Sequence, residues 1–240
     1  MAILRYLAMT AAEIREKQDF SGNIAWMACH FSPYSTGLSN LPQVLPADSL
    51  LILNDYTPMQ GHDPQVVAGQ LRECVEALGC RGVLLDFQRP GEEQAAALAK
   101  RLTQALPCPV GVSEAYADGL DCPVFLSPVP PGTPAGEYLS PWLGREIWLE
   151  LALDGEVITL TEKGTDTAPL PHAGALAGGF SEEMLHCHYH IEMVEDAAKF
   201  TLWRTRKDLE DLLMEAEKLG VTTAVGLYQE LHNLSVVEGQ

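Results

Sequence analysis

A closed (β/α)8 barrel of the TIM type, irregular in its second half, is the architecture that this 240-residue sequence predicts. Three observations carry that reading. Short apolar runs, continuous rather than alternating, recur along the chain, as strands buried on both faces of a parallel sheet do. Segments of helical periodicity separate them in the first half, giving the strand–helix–strand rhythm of βαβ units. The length suits one barrel of roughly 250 residues. Neither a repeat nor a linker divides the chain, so residues 1–240 read as a single domain.

Asn23–Phe31 (NIAWMACHF) opens the series as a buried strand, followed by a Ser-, Pro- and Gly-rich loop over residues 32–46. Residues 50–53 (LLIL) form the next strand, ending in Asn54, Asp55 and Tyr56. Asp63 followed by Pro64 starts a helix, with Pro in the first turn where its missing N–H costs nothing. Val67, Leu71, Cys74, Val75 and Leu78 line its apolar face and Gly79 closes it. Residues 82–87 (GVLLDF) are a buried strand, and Pro90-Gly91 leads to a helix carrying Ala95, Leu98, Leu102 and Leu106, stopped by Pro107. Residues 109–112 and 123–126 are two further strands.

The rhythm then breaks. Residues 146–153 and 156–161, joined by Asp154-Gly155, predict an inserted β-hairpin, and residues 161–179 read as loop. Residues 185–193 and 199–203 predict strands around an acidic turn at Glu195-Asp196. Thr205 and Asp208 make a variant capping box for a helix with Leu209, Leu212, Leu213, Ala216 and Leu219 on its apolar face. Residues 222–227 are the last strand, and the tail after Leu234 is polar.

Composition narrows the function classes. Hydrophobic residues make up 47% and charged residues 20%, the balance of a globular chain. Asp and Glu number 33 against 15 Lys and Arg, a formal charge of −18, which argues against nucleic acid, anionic membranes and strongly anionic substrates. No apolar run reaches the roughly 18–20 residues of a membrane span. Arg5, Glu13, Arg15, Glu16 and Lys17 interrupt any signal-peptide core. Cys29, Cys74, Cys80, Cys108, Cys122 and Cys187 include no CxxC pair, so a reduced, cytoplasmic protein without a cofactor is expected.

In a parallel barrel, chemistry gathers at the C-terminal strand ends. That rule selects Cys29 and His30, Asn54 and Asp55, Asp86 and Gln88, Ser113 and Glu114, Ser127, and Tyr228 with Glu230. Leu84, Asp86 and Gln88 share one face of their strand, while Val83, Leu85 and Phe87 share the other. The fully apolar face belongs under helices, which aims Asp86 and Gln88 at the barrel mouth, where the amide can donate to the carboxylate.

The stretch Arg81-Gly82-Val83-Leu84-Leu85-Asp86-Phe87-Gln88 resembles the DGxDxDxE strand of the family 18 glycoside hydrolases, the chitinase-like TIM barrels. Gly82, Asp86 and Phe87 match, whereas Arg81, Leu84 and Gln88 stand where two Asp and the catalytic Glu belong. In that family the Glu protonates the leaving oxygen and the neighbouring Asp orients the substrate's acetamido group as internal nucleophile. A Gln amide cannot deliver that proton. The resemblance therefore implies a barrel that binds a neutral sugar or glycopeptide at its mouth without conventional chitinase activity. Asp86 and Gln88 would orient the oligosaccharide or small-molecule ligand, and Asp55, Glu114 and Tyr228 would line the site. Any remaining catalysis would pair Asp86 with Glu114 or Asp55. Trp26, Tyr56, Trp142, Trp148, Trp203 and Tyr228 are aromatics able to stack on a sugar ring or to fill the core.

A second constellation is His186-Cys187-His188-Tyr189-His190. On a strand the three His share a face, and Glu192 or His172 would complete a metal-dependent hydrolase built on His186 and His188. Three such residues span about 13 Å, too far for all three to reach one ion. The remaining alternative is an interaction protein with no small-molecule site.

Overall fold

The computed structural model describes residues 2–17, 20–89, 91–171 and 173–232. The first half runs β1 (Leu4–Met9), α1 (Ala11–Glu16), β2 (Asn23–Phe31), β3 (Leu38–Ser39), β4 (Leu50–Asn54), α2 (Pro64–Leu78), β5 (Gly82–Asp86), α3 (Glu93–Ala105), β6 (Val110–Ser113), β7 (Val124–Leu126) and α4 (Ala135–Leu139). The second runs β8 (Ile147–Leu151), β9 (Gly155–Thr161), β10 (Gly164–Leu170), β11 (Phe180–Glu182), β12 (Cys187–Val194), β13 (Ala197–Trp203), α5 (Arg206–Lys218), β14 (Val221–Leu227) and α6 (Tyr228–Leu231).

Eight parallel strands close into a barrel in the order β1, β14, β8, β7, β6, β5, β4, β2, and β2 returns to β1 with Leu7 opposite Ile24. The chain thus has the TIM-like fold its apolar rhythm predicts. Strand membership differs from the sequence reading in several places. β1, whose residues were read only as too charged for a signal peptide, is a barrel strand, and the His-rich β12 is not.

Period-2 alternation sorts the strand residues into two layers. Leu51, Leu53, Val83, Leu85, Val112 and Leu149 point outward and join the core formed with Val67, Leu71, Leu98, Leu102 and Leu212 of the helices. Tyr6, Ala8, Leu50, Ile52, Leu84, Phe125, Trp148 and Val225 form a separate cluster inside the barrel. Trp148 fills the axis because Gly111 leaves room for its ring, where any Cβ would collide with the indole.

The helices begin where the caps allow. The Asp63 carboxylate accepts from Gln65 N at 2.8 Å, and Gly79 takes a left-handed φ of 64° to end α2. Thr205 and Asp208 exchange backbone and side-chain hydrogen bonds as a capping box for α5. Between β6 and β7 the crossover holds one 3-10 turn over Glu114–Tyr116, and between β7 and β8 it holds the five-residue α4. The irregularity therefore begins earlier than the charge and glycine patterns suggest. Pro90 and the tail after Leu234 lie outside the described residues, which end at 232.

The interruption is larger than one hairpin. β10, β9, β13, β12 and β11 make a five-stranded antiparallel sheet inserted between β8 and α5. The expected hairpin around Asp154-Gly155 is corrected: β8 belongs to the barrel, and β9 pairs with β10 and β13 instead. Gly155 is required for space, since a Cβ there would strike the Leu202 carbonyl and Ala173. Residues 164–170, expected as loop, form β10. Among the described residues, no helix is long and apolar enough to cross a membrane.

Candidate functional site

Because all eight barrel strands run the same way, their C-terminal ends share one mouth. β4 and β5 pair Ile52 with Leu84 and Asn54 with Asp86, so each polar residue stands one inward step above a core residue. On β8 the same step carries Trp148 to Glu150, which lies beside Val225 of β14. Asp86 and Glu150 thus face the mouth from strands three positions apart in the barrel. Glu150 was missed by the sequence reading, which placed it in a hairpin. Its signal was an acid between Leu149 and Leu151 on the face of Trp148.

The candidate residues fall into distinct positions. Asp86 is half-buried and accepts a hydrogen bond from the exposed Gln88 amide Nε2. Burial raises the Asp86 carboxyl above its ordinary range, the Gln88 bond opposes this, and the Asp55 charge adds to it. Asp55 is 3% exposed, and its two oxygens accept from Gln88 N at 3.2 Å and Arg89 N at 3.0 Å. It therefore shapes the loop that carries Gln88. Asn54 bridges strands, donating to the Met27 carbonyl at 3.4 Å.

Glu114 opens the 3-10 turn and is raised by partial burial. Its charge and that of Glu150 both act on Tyr138, whose hydroxyl donates to the Ser127 carbonyl at 3.0 Å. Burial, with those two charges, pushes the Tyr138 phenol above its ordinary range. Tyr228 packs in the first turn of α6 between Phe20, at 5.8 Å, and His232, at 4.9 Å. Glu230 accepts from Leu153 N at 3.2 Å and so ties α6 to the end of β8.

Glu150 has the most altered titration of the mouth. Burial first, then the charges of Asp86, Asp154 and Glu230, push its carboxyl up from 4.5 to about 7. Between these values the folded chain holds a proton that the unfolded chain has released, so stability falls as pH rises through that window. The loss is on the order of 3 kcal/mol once pH exceeds the folded value. Glu150→Gln removes it. Urea midpoints should match the wild type near pH 4 and indicate about 2–3 kcal/mol more stability near pH 8. An effect of equal size at both pH values would refute this environment.

The histidines lie away from the mouth. His186 sits in the turn before β12 with a positive φ of 47°, which breaks the shared face expected for three strand residues. Its Nε2 meets Glu215 at 2.6 Å, while His188 Nδ1 meets Asp208 at 2.9 Å. Burial alone would raise Asp208, but hydrogen bonds from Thr205 and His188 hold it below its ordinary range. His190 is exposed and edge-on to Trp203 at 6.4 Å. These pairs line a groove of about 790 Å³ between the inserted sheet and α5, with Lys207, Asp211 and Lys218. Among the described residues, no group of three or more His, Cys, Asp or Glu is placed to hold a metal ion. His172 lies outside the described residues.

No protein-family model matches the chain, and no curated protein matches it by sequence. Solved structures do. A family GH18 chitinase of Cycas revoluta, solved with allosamidin, superimposes with a TM-score of 0.57 at 11% identity over 93% of this chain and 94% of that one. A chitinase of Chromobacterium violaceum gives 0.55 at 12% identity over 93% of each chain. The spore cortex-lytic enzyme SleL of Bacillus cereus gives 0.56 at 10% identity over 94% of this chain and 70% of that one. These likenesses are of fold. Together with the eight-stranded closure, they show that this chain shares the TIM-barrel fold of those enzymes.

Proposed function

We propose that the barrel mouth binds a neutral saccharide or glycopeptide, and that it does so without the reaction of a conventional chitinase. The observation that supports this is the Asp86–Gln88 pair at the inward end of β5. A carboxylate and an amide two residues apart offer an acceptor and a donor to a sugar hydroxyl or an acetamido group. Gln88 has no ionisable state with which to protonate a leaving group, so the residue that would drive the usual reaction is absent from its position. Asp55 acts on the ligand through the loop it holds, Glu114 and Tyr138 stand on the neighbouring rim, and Tyr228 contributes at the side of α6. The carboxylates around the mouth favour an uncharged ligand over a uronic or phosphorylated one.

The fold supports the same reading. A double mutant of the Cycas revoluta chitinase, one of whose changes is Glu to Gln, was solved in complex with (GlcNAc)4. Titration calorimetry with (GlcNAc)4, and with a glucose oligomer of equal length as control, tests the proposal. The N-acetylated oligomer should bind, and Asp86→Ala should weaken binding at least tenfold, about 1.4 kcal/mol, with an unchanged circular dichroism spectrum. No binding of (GlcNAc)4 or of a muropeptide by the wild type would overturn it.

A further inference from the structure

We infer that His62 is a proton-dependent clasp at the barrel rim, joining the loop after β2 to the loop after β4 only while both nitrogens of its ring carry a proton. On the saccharide-binding reading above, that proton also sets how tightly the mouth holds its ligand.

The clasp is defined by its two partners. His62 Nδ1 lies 2.9 Å from the Met59 carbonyl oxygen, and Nε2 lies 2.8 Å from the Ser32 carbonyl oxygen. A carbonyl oxygen only accepts hydrogen bonds, so both nitrogens must donate. Neutral imidazole has a single N–H, and its other nitrogen would turn a lone pair toward a second acceptor. Imidazolium alone satisfies both contacts. Ser32 and Met59 are buried, so a carbonyl released by the ring gains little water in exchange. The ring stands edge-on to Phe31 at 5.1 Å, which holds its plane between the loops. Two further bonds cross the same seam: Thr57 Oγ1 donates to the Phe31 carbonyl at 2.6 Å and Asp63 N to the Thr36 carbonyl at 3.0 Å.

The charged and titratable groups on the surrounding elements are few, and most are engaged elsewhere. The loop over residues 32–46 contains no Asp, Glu, Lys or Arg, and its Tyr34 is exposed. His30 on β2 has Nδ1 at 3.0 Å from the Ala28 carbonyl. In the second loop Tyr56 is exposed, Asp63 caps α2 through Gln65 N, and the first turn of α2 carries no acid. That loop begins at Asp55, whose oxygens hold the Gln88 and Arg89 amides, and Arg89 donates in return to the Tyr56 carbonyl at 3.0 Å. One short segment therefore runs from the clasp to the Asp86–Gln88 pair. A closed loop that needs the proton holds it more tightly than an open one, so closure weakens as pH rises, and ligand binding with it.

Two measurements test this. Imidazole charge changes between roughly pH 5 and 8, which sets the range to scan. Heteronuclear spectra of the free wild type should show both His62 ring nitrogens protonated near pH 5.5, with the Asp63 amide protected from exchange. Near pH 8 the ring should have lost one proton and that protection should have fallen. A singly protonated ring beside a protected Asp63 amide, at either pH, overturns the clasp. Titration calorimetry with (GlcNAc)4 then compares wild type with His62→Phe, which keeps a ring against Phe31 and has no proton to lose. The ratio of wild-type to variant affinity should be about threefold or more larger near pH 5.5 than near pH 8. Asp86, Glu114 and Glu150 are present in both proteins, so their titration cancels from that ratio. A ratio independent of pH overturns the link from clasp to ligand. Absence of (GlcNAc)4 binding removes the saccharide reading, and the ring spectra still decide the clasp.

Discussion

Trp148→Ala is expected to destabilise the protein by about 3–5 kcal/mol, the range for emptying a large aromatic site in a packed core. The indole is 3% exposed, belongs to the interior cluster with Leu84 and Phe125, and donates from Nε1 to Glu146 at 3.0 Å. Its neighbours are strands of a closed barrel, which cannot collapse inward without losing register, so the cavity term should be near the upper end. For a chain of this size the melting temperature should drop by roughly 10 °C or more. The partner position gives a second readout. Gly111→Ala is expected to cost about 1–3 kcal/mol by forcing a methyl group against the ring. In the Trp148→Ala background the same change should be nearly free or stabilising, because it fills part of the void. Additive losses in the double variant would show that the indole does not fill the axis.

The same interior explains what the sequence could and could not disclose. β4 and β5 were legible because strands buried on both faces need apolar residues at every position, and residues 50–53 and 82–85 have them or a glycine. β1 was obscured by Arg5, a charge inside its apolar run. β10 carries Thr165, Asp166, Thr167 and Pro169 and is exposed along most of its length, so neither periodicity nor hydrophobicity marks it. It exists because Gly164–Leu170 pairs with β9, a long-range fact. Asp154-Gly155 misled for a related reason: the dipeptide has the composition of a tight turn, but its glycine answers a steric demand made by Leu202, 47 positions away. At the mouth, Asp86 was readable from alternation on β5, whereas the strand ends there and Gln88 lies in the loop that Asp55 holds. Glu150 required knowing that β8 belongs to the barrel and not to a hairpin.

Arg204→Met is expected to be about as damaging as the loss of Trp148, at roughly 3–5 kcal/mol. Arg204 follows β13 and is 2% exposed. Its guanidinium donates to the His186 carbonyl at 3.1 Å, to Pro130 at 3.1 Å, to Leu185 at 3.3 Å and to the Val129 carbonyl. Burial lowers it to about 10, which leaves it charged at neutral pH. Two of those carbonyls belong to the loop after β7 and two to the turn before β12, so one side chain fastens the inserted sheet to the rim of the barrel. Methionine keeps much of the volume but leaves four carbonyls without their donor, each worth roughly 1–3 kcal/mol if it stays dry. Relaxation and entering water should recover part of that sum. Arg204→Lys retains the charge, yet its single ammonium cannot span acceptors that the planar fork reaches, so it should restore less than half of the loss. Hydrogen exchange locates the damage: amides of β12 and β13 should lose protection in Arg204→Met while those of β4 and β5 keep theirs. Loss spread evenly over barrel and insert would mean that the two unfold as one unit and that Arg204 is a general core contact, not the fastening between them.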